Sequence, residues 1–321
     1  MTTTYLEAIT STLAREMRLD ERVFVLGEDV AEGGPWGATA GLAEEFGPER
    51  VRNTPISEAA IAGVAIGAAQ SGMRPVVEIM FIDFLTLALD QLVNQAAKAH
   101  FMSGGQLTAP LVVRTQGGAG QRGAAQHSQS LEAWLTHVPG LKVAMPATAA
   151  DMAGLLIAAI ADPNPVVLVE NKTLYFRRED LPDEPEPVLL GRARVVRPGR
   201  DVTVVALSRL VHEAVAAAEQ LSAEGIEVEV IDPRTLVPLD LDTILESVAR
   251  THRLVVAHEA VRSGGYGAEL AARVQEAAFE ELDAPIVRVG APFTPVPFSP
   301  PLEDDNLPGR DDVAAAVRSV L

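Results

Sequence analysis

Residues 141–169 read LKVAMPATAADMAGLLIAAIADPNPVVLV. Apolar runs at 141–145 and 165–169 flank a longer Ala- and Leu-rich stretch at 148–161. A short, continuous apolar run suits a strand buried on both faces, and the longer stretch has the length of a helix. The same strand–helix–strand unit repeats upstream. Strands are expected at 23–27 (VFVLG), 51–54, 75–79 (PVVEI) and 110–115 (PLVVRT), and helices near 39–47, 57–72, 84–101 and 129–137. This alternation predicts an α/β fold built on a doubly wound, mainly parallel sheet.

The pattern then breaks. EDLPDEPEP at 179–187 is acidic and Pro-rich, a composition that resists helix and strand and suits a linker. Alternation restarts with TVVAL (203–207), a helix to about 224, IEVEVI (226–231), a helix near 240–250, RLVVAH (253–258), a helix near 266–280 and PIVRV (285–289). The expected organisation is a first domain at 1–178, a linker at 179–198 and a smaller α/β domain at 199–321. The Pro-rich tail TPVPFSPPLEDDNLP is expected to lie on a surface as a docking strap.

Composition narrows the function. The chain has 321 residues, 48% of them hydrophobic, enough to bury full-sized cores. Its formal charge of −18 argues against nucleic acid and anionic membranes as partners. It contains no cysteine, which removes disulfides, thiolate metal sites and a cysteine nucleophile. The start, MTTTYLEAIT, lacks the basic and apolar regions of a signal peptide, and no apolar run reaches membrane-spanning length. A soluble, cytoplasmic protein is expected.

NTPISEAAIAGVAIGAA, residues 53–69, places one carboxylate, Glu58, at the head of a small-residue helix. Ser57 is a good N-cap, and an acid in the first turn complements the helix dipole by roughly 0.3–1 kcal/mol. Capping leaves Gly63 and Gly67 unexplained; one turn apart, they suggest that another backbone or a flat ligand comes close. GAGQRG (118–123) matches G-x-G-x-x-G after a strand, but the strand is internal, and Glu132 comes too soon to be the ribose-binding acid. A mobile glycine-rich loop is the better reading, and it carries His127. The other histidines show no metal-ligand spacing, and neither a P-loop nor a G-x-S-x-G elbow occurs. Glu28 and Asp29 follow a strand, at the edge where parallel sheets place ligands, and Phe84 opens a helix where a ring could stack on a ligand.

Taken in order, GEDV, NTPISEAAIAGVAIGAA, EIMFIDF, AAQHSQS, HVPGLKV, DPNPVVLVENKTLY, PRTLVPLD and TPVPFSPPLED span almost the whole chain. Together they resemble the beta subunit of the thiamine-diphosphate-dependent decarboxylating components of 2-oxo acid dehydrogenase complexes. That family includes pyruvate, branched-chain 2-oxo acid and acetoin dehydrogenases. The resemblance implies a transketolase-type pyrimidine-binding domain followed by a transketolase C-terminal domain. Glu58 matches the glutamate that bonds the pyrimidine nitrogen of the cofactor and promotes proton loss from its thiazolium carbon. Desolvation by Ile56, Ala59 and Ile61 is expected to outweigh the helix dipole there. Glu28 matches an acid near the pyrimidine and Phe84 an aromatic against it, while Ile56 and Met80 match weaker contacts. His127 matches a histidine that helps pass the acyl group to lipoyl. Leu111, Ala159, Ile160, Asp162 and Asn164 match a potassium site built largely from carbonyl oxygens.

The Gly-Asp-Gly motif that holds magnesium and diphosphate in thiamine enzymes does not occur in this chain. The resemblance therefore implies an alpha subunit that carries the metal, an α2β2 heterotetramer and a dihydrolipoyl acyltransferase core as the acyl acceptor. GGPWGATAGL replaces the aromatic–basic pair of many relatives after GEDV, and MFIDF and RT-x-x-GAG-x-R lean toward the acetoin or branched-chain members. An acetoin-cleaving subunit is the alternative; a nicotinamide oxidoreductase resting on GAGQRG and a non-catalytic assembly subunit are more remote.

Overall fold

A computed structural model describes residues 2–182 and 184–321; Asp183, within the expected linker, lies outside the described residues. The chain forms two compact units, Met1–Gly117 with Trp134–Leu190 and Gly118–Ala133 with Gly191–Leu321. The glycine-rich loop thus groups with the second unit, although the strand before it belongs to the first.

In the first unit the strands lie in the order Lys142–Ala144, Val166–Asn171, Val112–Gly117, Arg74–Ile79, Val23–Gly27 and Val51–Asn53, all parallel. The side chains of Val23–Gly27, Val112–Gly117 and Val166–Asn171 are buried on both faces, as continuous apolar runs demand. Three helices depart from the alternating pattern. Tyr5–Leu19 is a helix that buries Tyr5, Ala8, Ile9, Thr12, Leu13 and Met17, a helical stripe, against the helix Ala149–Ala161. A capping box starts it: the Thr4 hydroxyl accepts from the Glu7 amide at 3.1 Å, and the Thr4 amide donates to the Glu7 carboxylate at 2.7 Å. The expected helix at 84–101 starts earlier and passes through a π turn, as Ile82–Asp90, Gln91–Ala96 and Ala97–Met102. The one expected at 129–137 shortens to Glu132–Thr136.

Within 179–198, Arg178–Asp180 reaches in as a strand paired antiparallel with Thr2–Thr4. The second sheet begins at Arg194–Arg197, an antiparallel edge strand beside Val228–Asp232. The other strands, Val202–Ala206, Leu254–Val261 and Val287–Ala291, continue it in parallel. The Pro-rich tail is not simply a strap. Pro300–Asn306 is a helix, its prolines at first-turn positions whose N–H groups have no intrahelical partner anyway. It buries Glu303 completely. A last helix, Arg310–Ser319, packs on Arg209–Ser222.

Candidate active site

Val23–Gly27 has Val51–Asn53 on one side and Arg74–Ile79 on the other. The winding of the first sheet reverses at this strand, and α/β sheets take ligands in the crevice outside the carboxyl ends at such a switch point. Glu28 follows the central strand, Glu58 opens the helix after the second, and Met80 and Phe84 follow the third. The topology therefore gathers four candidates that are scattered in sequence.

Their chemistry is unusual for side chains of a folded domain. Glu58 is only 7% exposed and is the first residue of its helix; Ser57 holds the N-cap position without a side-chain hydrogen bond. Neither Glu58 nor Glu28 has a hydrogen-bond partner among the described residues. Burial pushes the Glu28 carboxyl up, and the charges of Glu58 and Asp29 push it further. Two carboxylates within electrostatic reach, with no cation between them, are stabilised by a ligand that brings N–H donors. Phe84 meets Phe81 edge to face at 5.7 Å, and the Lys172 ammonium stands 5.0 Å from the Phe81 ring centre. This pair of acceptors and the aromatic wall fit a flat, nitrogen-bearing ring.

Two expectations about the surroundings of Glu58 change. Ile56 is 81% exposed and Ala59 is exposed, so of the three apolar neighbours only Ile61 is buried. Among the described residues no backbone from outside the helix lies over its glycines: the Gln91 carboxamide is 3.7 Å from a Cβ placed on Gly63, and space over Gly67 is open. The face through Ala60, Val64 and Gly67 is instead exposed.

Beneath the crevice lies an ion cluster that sequence reading missed. Arg114 is fully buried and donates to Glu170 at 2.7 and 3.0 Å and to Glu78 at 2.8 Å; the Tyr175 hydroxyl donates to Glu170 at 2.6 Å. These carboxylates face one guanidinium because Glu78 pairs with Arg114 across the sheet and Glu170 lies on the next strand. Burial raises the Glu78 carboxyl against the pull of Arg114. The cluster also shapes the loop after Glu28. Gly34, with φ +67°, lies where a Cβ would stand 2.6 Å from the Glu78 Oε1, so only glycine fits. The signal was present: one charged residue inside each of the runs PVVEI, PLVVRT and VVLVEN.

The glycine-rich loop has no role as a dinucleotide cradle. No helix starts on it before Glu132, and its amides are already bonded: Ala119 donates to Glu259 at 2.6 Å and Gly120 to Glu303 at 2.7 Å. His127 is half-buried on this loop. The loop borders a cavity of about 610 Å³ in the second unit, lined largely by apolar groups including Ala125, Leu131, Val261, Phe293 and Val296. Glu132, passed over in the sequence, is 1% exposed, and its Oε2 has no partner among the described residues. Burial, with a smaller push from the charge of Glu259, lifts its carboxyl to about 7.

The potassium set lies at the end of Ala149–Ala161. The carbonyls of Ile160 and Asp162 accept from the Arg74 guanidinium, and the Leu111 carbonyl accepts from the Val166 amide at 3.0 Å. The Asp162 carboxylate meets the Lys142 ammonium and accepts from the Asn164 amide at 2.8 Å. Ala159 belongs to the last helical turn. Each carbonyl keeps a second lone pair, so oxygen donors remain. Among the described residues no group of three or more His, Asp or Glu side chains is placed to hold a metal, and no helix is long and apolar enough to cross a membrane.

Family models match both units: the transketolase pyrimidine-binding domain over residues 1–177 and the transketolase C-terminal domain over 191–313. The pyruvate dehydrogenase E1 component subunit beta of Rhizobium meliloti is 48% identical over 99% of this chain and 70% of its own length. The acetoin:2,6-dichlorophenolindophenol oxidoreductase subunit beta of Bacillus subtilis is 45% identical over 98% and 96%. A solved split-gene transketolase, an inactive beta4 tetramer, has a TM-score of 0.82 at 27% identity, covering 99% of this chain and 97% of that one. The transketolase of Leishmania mexicana shares the fold, with a TM-score of 0.73 at 18% identity over 98% of this chain and 45% of that one. With both domains matched in order, and with relatives this similar over nearly its full length, the chain belongs to the family of transketolase-type beta subunits of 2-oxo acid dehydrogenase decarboxylating components, alongside the pyruvate dehydrogenase and acetoin oxidoreductase beta subunits.

Proposed function

We propose that this chain supplies the pyrimidine-facing half of a thiamine diphosphate site and works as a cytoplasmic 2-oxo acid dehydrogenase subunit only when joined to an alpha subunit. The observation that carries the reading is the pair of donor-free carboxylates, Glu28 and Glu58, at the switch point of the first sheet. Glu58 would hold a ring nitrogen of the cofactor and share a proton with it. Glu28, already pushed toward its protonated form, would offer a neutral hydrogen-bonding group beside it. Phe84 would bound the ring, with Met80 and Ile56 at its edges. When bound, thiamine diphosphate supplies the electron sink for decarboxylation. His127 would give a proton to the lipoyl sulfur as its disulfide opens.

Magnesium and the diphosphate would be held by the alpha subunit, since this chain has no Gly-Asp-Gly segment. The exposed face of Ala60, Val64 and Gly67 fits close approach of that partner, in an α2β2 assembly that passes its acyl group to a dihydrolipoyl acyltransferase core. Leu111, Ala159, Ile160, Asp162 and Asn164 would form a potassium site through oxygen donors. Acetoin cleavage is the second reading, favoured by relatives such as the Bacillus subtilis protein.

Calorimetry of cofactor plus magnesium tests the half-site: micromolar binding to the isolated chain would refute it, and binding only after the alpha subunit is added supports it. Assaying the reconstituted complex on pyruvate, branched-chain 2-oxo acids and acetoin then separates the two readings.

A further inference from the structure

We propose that Glu303, from the Pro-rich tail, is a positioning residue that clamps the glycine-rich loop in the conformation presenting His127. The inference rests on the acyl-transfer reading of His127 given above.

Glu303 is fully buried, and both its oxygens are spent on the loop. It accepts from the Gly120 amide at 2.7 Å, the Arg122 amide at 3.1 Å and the Arg122 guanidinium at 2.7 Å. Glu259 holds the preceding amide, Ala119, at 2.6 Å, while its other oxygen takes the Arg209 guanidinium at 2.8 Å. Three loop amides therefore end on two carboxylates. The loop needs such a hold, because its backbone is in an unfavourable shape. Arg122 and Ala124 have φ of +59° and +56°, left-handed values that residues with a side chain rarely adopt. Such a conformation persists only when surrounding contacts over-determine it.

The shape is relayed to His127 directly. At Gly123 a Cβ would stand 2.9 Å from the Ser128 hydroxyl and 3.0 Å from the His127 carbonyl, so the clamped turn lies against the residues it must place. The Gly118 amide closes the loop base on the Gln129 carbonyl at 3.0 Å. Releasing Glu303 leaves that base closed and frees the turn between.

The test uses the reconstituted complex with its alpha subunit. Glu303→Ala is expected to speed amide hydrogen exchange at Ala119, Gly120 and Arg122 by roughly 100-fold, while strand amides of the second unit keep their protection. Acylation of free lipoyl domains is expected to fall on the order of 100-fold, the scale of a small misplacement of a reacting group. Reduction of an artificial acceptor, which bypasses the lipoyl step, is expected to change little. Glu303→Gln keeps one acceptor oxygen and is expected to recover much of the loss. Asp304→Asn, which removes only the exposed partner of Arg122, is expected to leave both assays as they were. Unchanged exchange at the three amides, or equal losses in the two assays, overturns the clamp. If Glu303→Ala does not fold, Arg122→Ala, which removes the guanidinium held by Glu303, is held to the same two criteria. Should His127→Ala itself show equal losses in the two assays, the acyl-transfer reading fails, and loop exchange alone decides the clamp.

Discussion

Two groups of acids in this chain are treated in opposite ways. At the switch point of the first sheet, Glu28 and Glu58 crowd each other with no hydrogen-bond partner among the described residues. Around the glycine-rich loop of the second unit, Glu259 and Glu303 are saturated by amides and guanidinium groups. A buried carboxylate is costly unless donors meet it, so a saturated acid builds structure and an open one awaits a ligand. The contrast separates open acids from architectural ones without reference to any relative.

The sharpest way to break the contrast is Glu58→Gln. If the open acid works on a ligand, proton–deuterium exchange at the thiazolium carbon of the bound cofactor falls by roughly 10²–10⁴-fold. Thermal unfolding should not be weakened, because no protein bond is lost. Normal exchange, or a clear drop in melting temperature, would place Glu58 among the architectural acids.

Arg114→Met tests the acids of the first unit that are paired with a cation. It strands Glu78 and Glu170 without their guanidinium, and removing one partner of a buried ion cluster costs about 3–5 kcal/mol. Denaturant unfolding measures this; a loss below about 1 kcal/mol would show that the carboxylates simply take up protons.

Glu132 sharpens the comparison, since it is a buried acid within the region of the glycine-rich loop whose Oε2 has no partner among the described residues. Its carboxyl is lifted to about 7 from an ordinary 4.5, so the folded state binds a proton that the unfolded state has released between those values. Stability therefore falls as pH rises through that window, and the full penalty stands above it. Above that window the penalty is roughly 3 kcal/mol. Glu132→Gln should gain stability relative to the parent at pH 8 but not at pH 4.5, measured by unfolding at both. Parallel pH profiles for the two proteins would refute an ionising Glu132.

The smallest effect concerns potassium. Arg74 already occupies the carbonyls of Ile160 and Asp162, so exchanging potassium for a bulky organic cation is expected to change unfolding free energy by less than about 1 kcal/mol. A larger shift would make the ion a principal tie of these loops.

Much of the architecture is written locally. VFVLG, PVVEI and PVVLV can only be buried strands between helices, and their alternation implies a parallel sheet with its ligand edge at the strand ends. Glu58 stands out because it is the lone charge on an apolar helix. By contrast, the helix at Tyr5–Leu19 precedes the first strand and so lies outside the strand–helix–strand repeat, although its apolar residues recur at helical spacing. The tail misled through its prolines, which a first helical turn accepts as readily as a strap does.

The sequence by itself determined the order of strands and helices, the family and the identity of the acids available for chemistry, since these depend on residue type, periodicity and motif. Only the tertiary structure decided which acids are open and which are spent. Glu28 and Glu58 are thirty positions apart, Glu78 and Glu170 meet one arginine from neighbouring strands, and Glu303 reaches a loop some 180 positions upstream. Whether a carboxylate finds a donor depends on what the chain brings back from such distances. No local pattern records that, because the free energy of a buried charge is set by its neighbours in space.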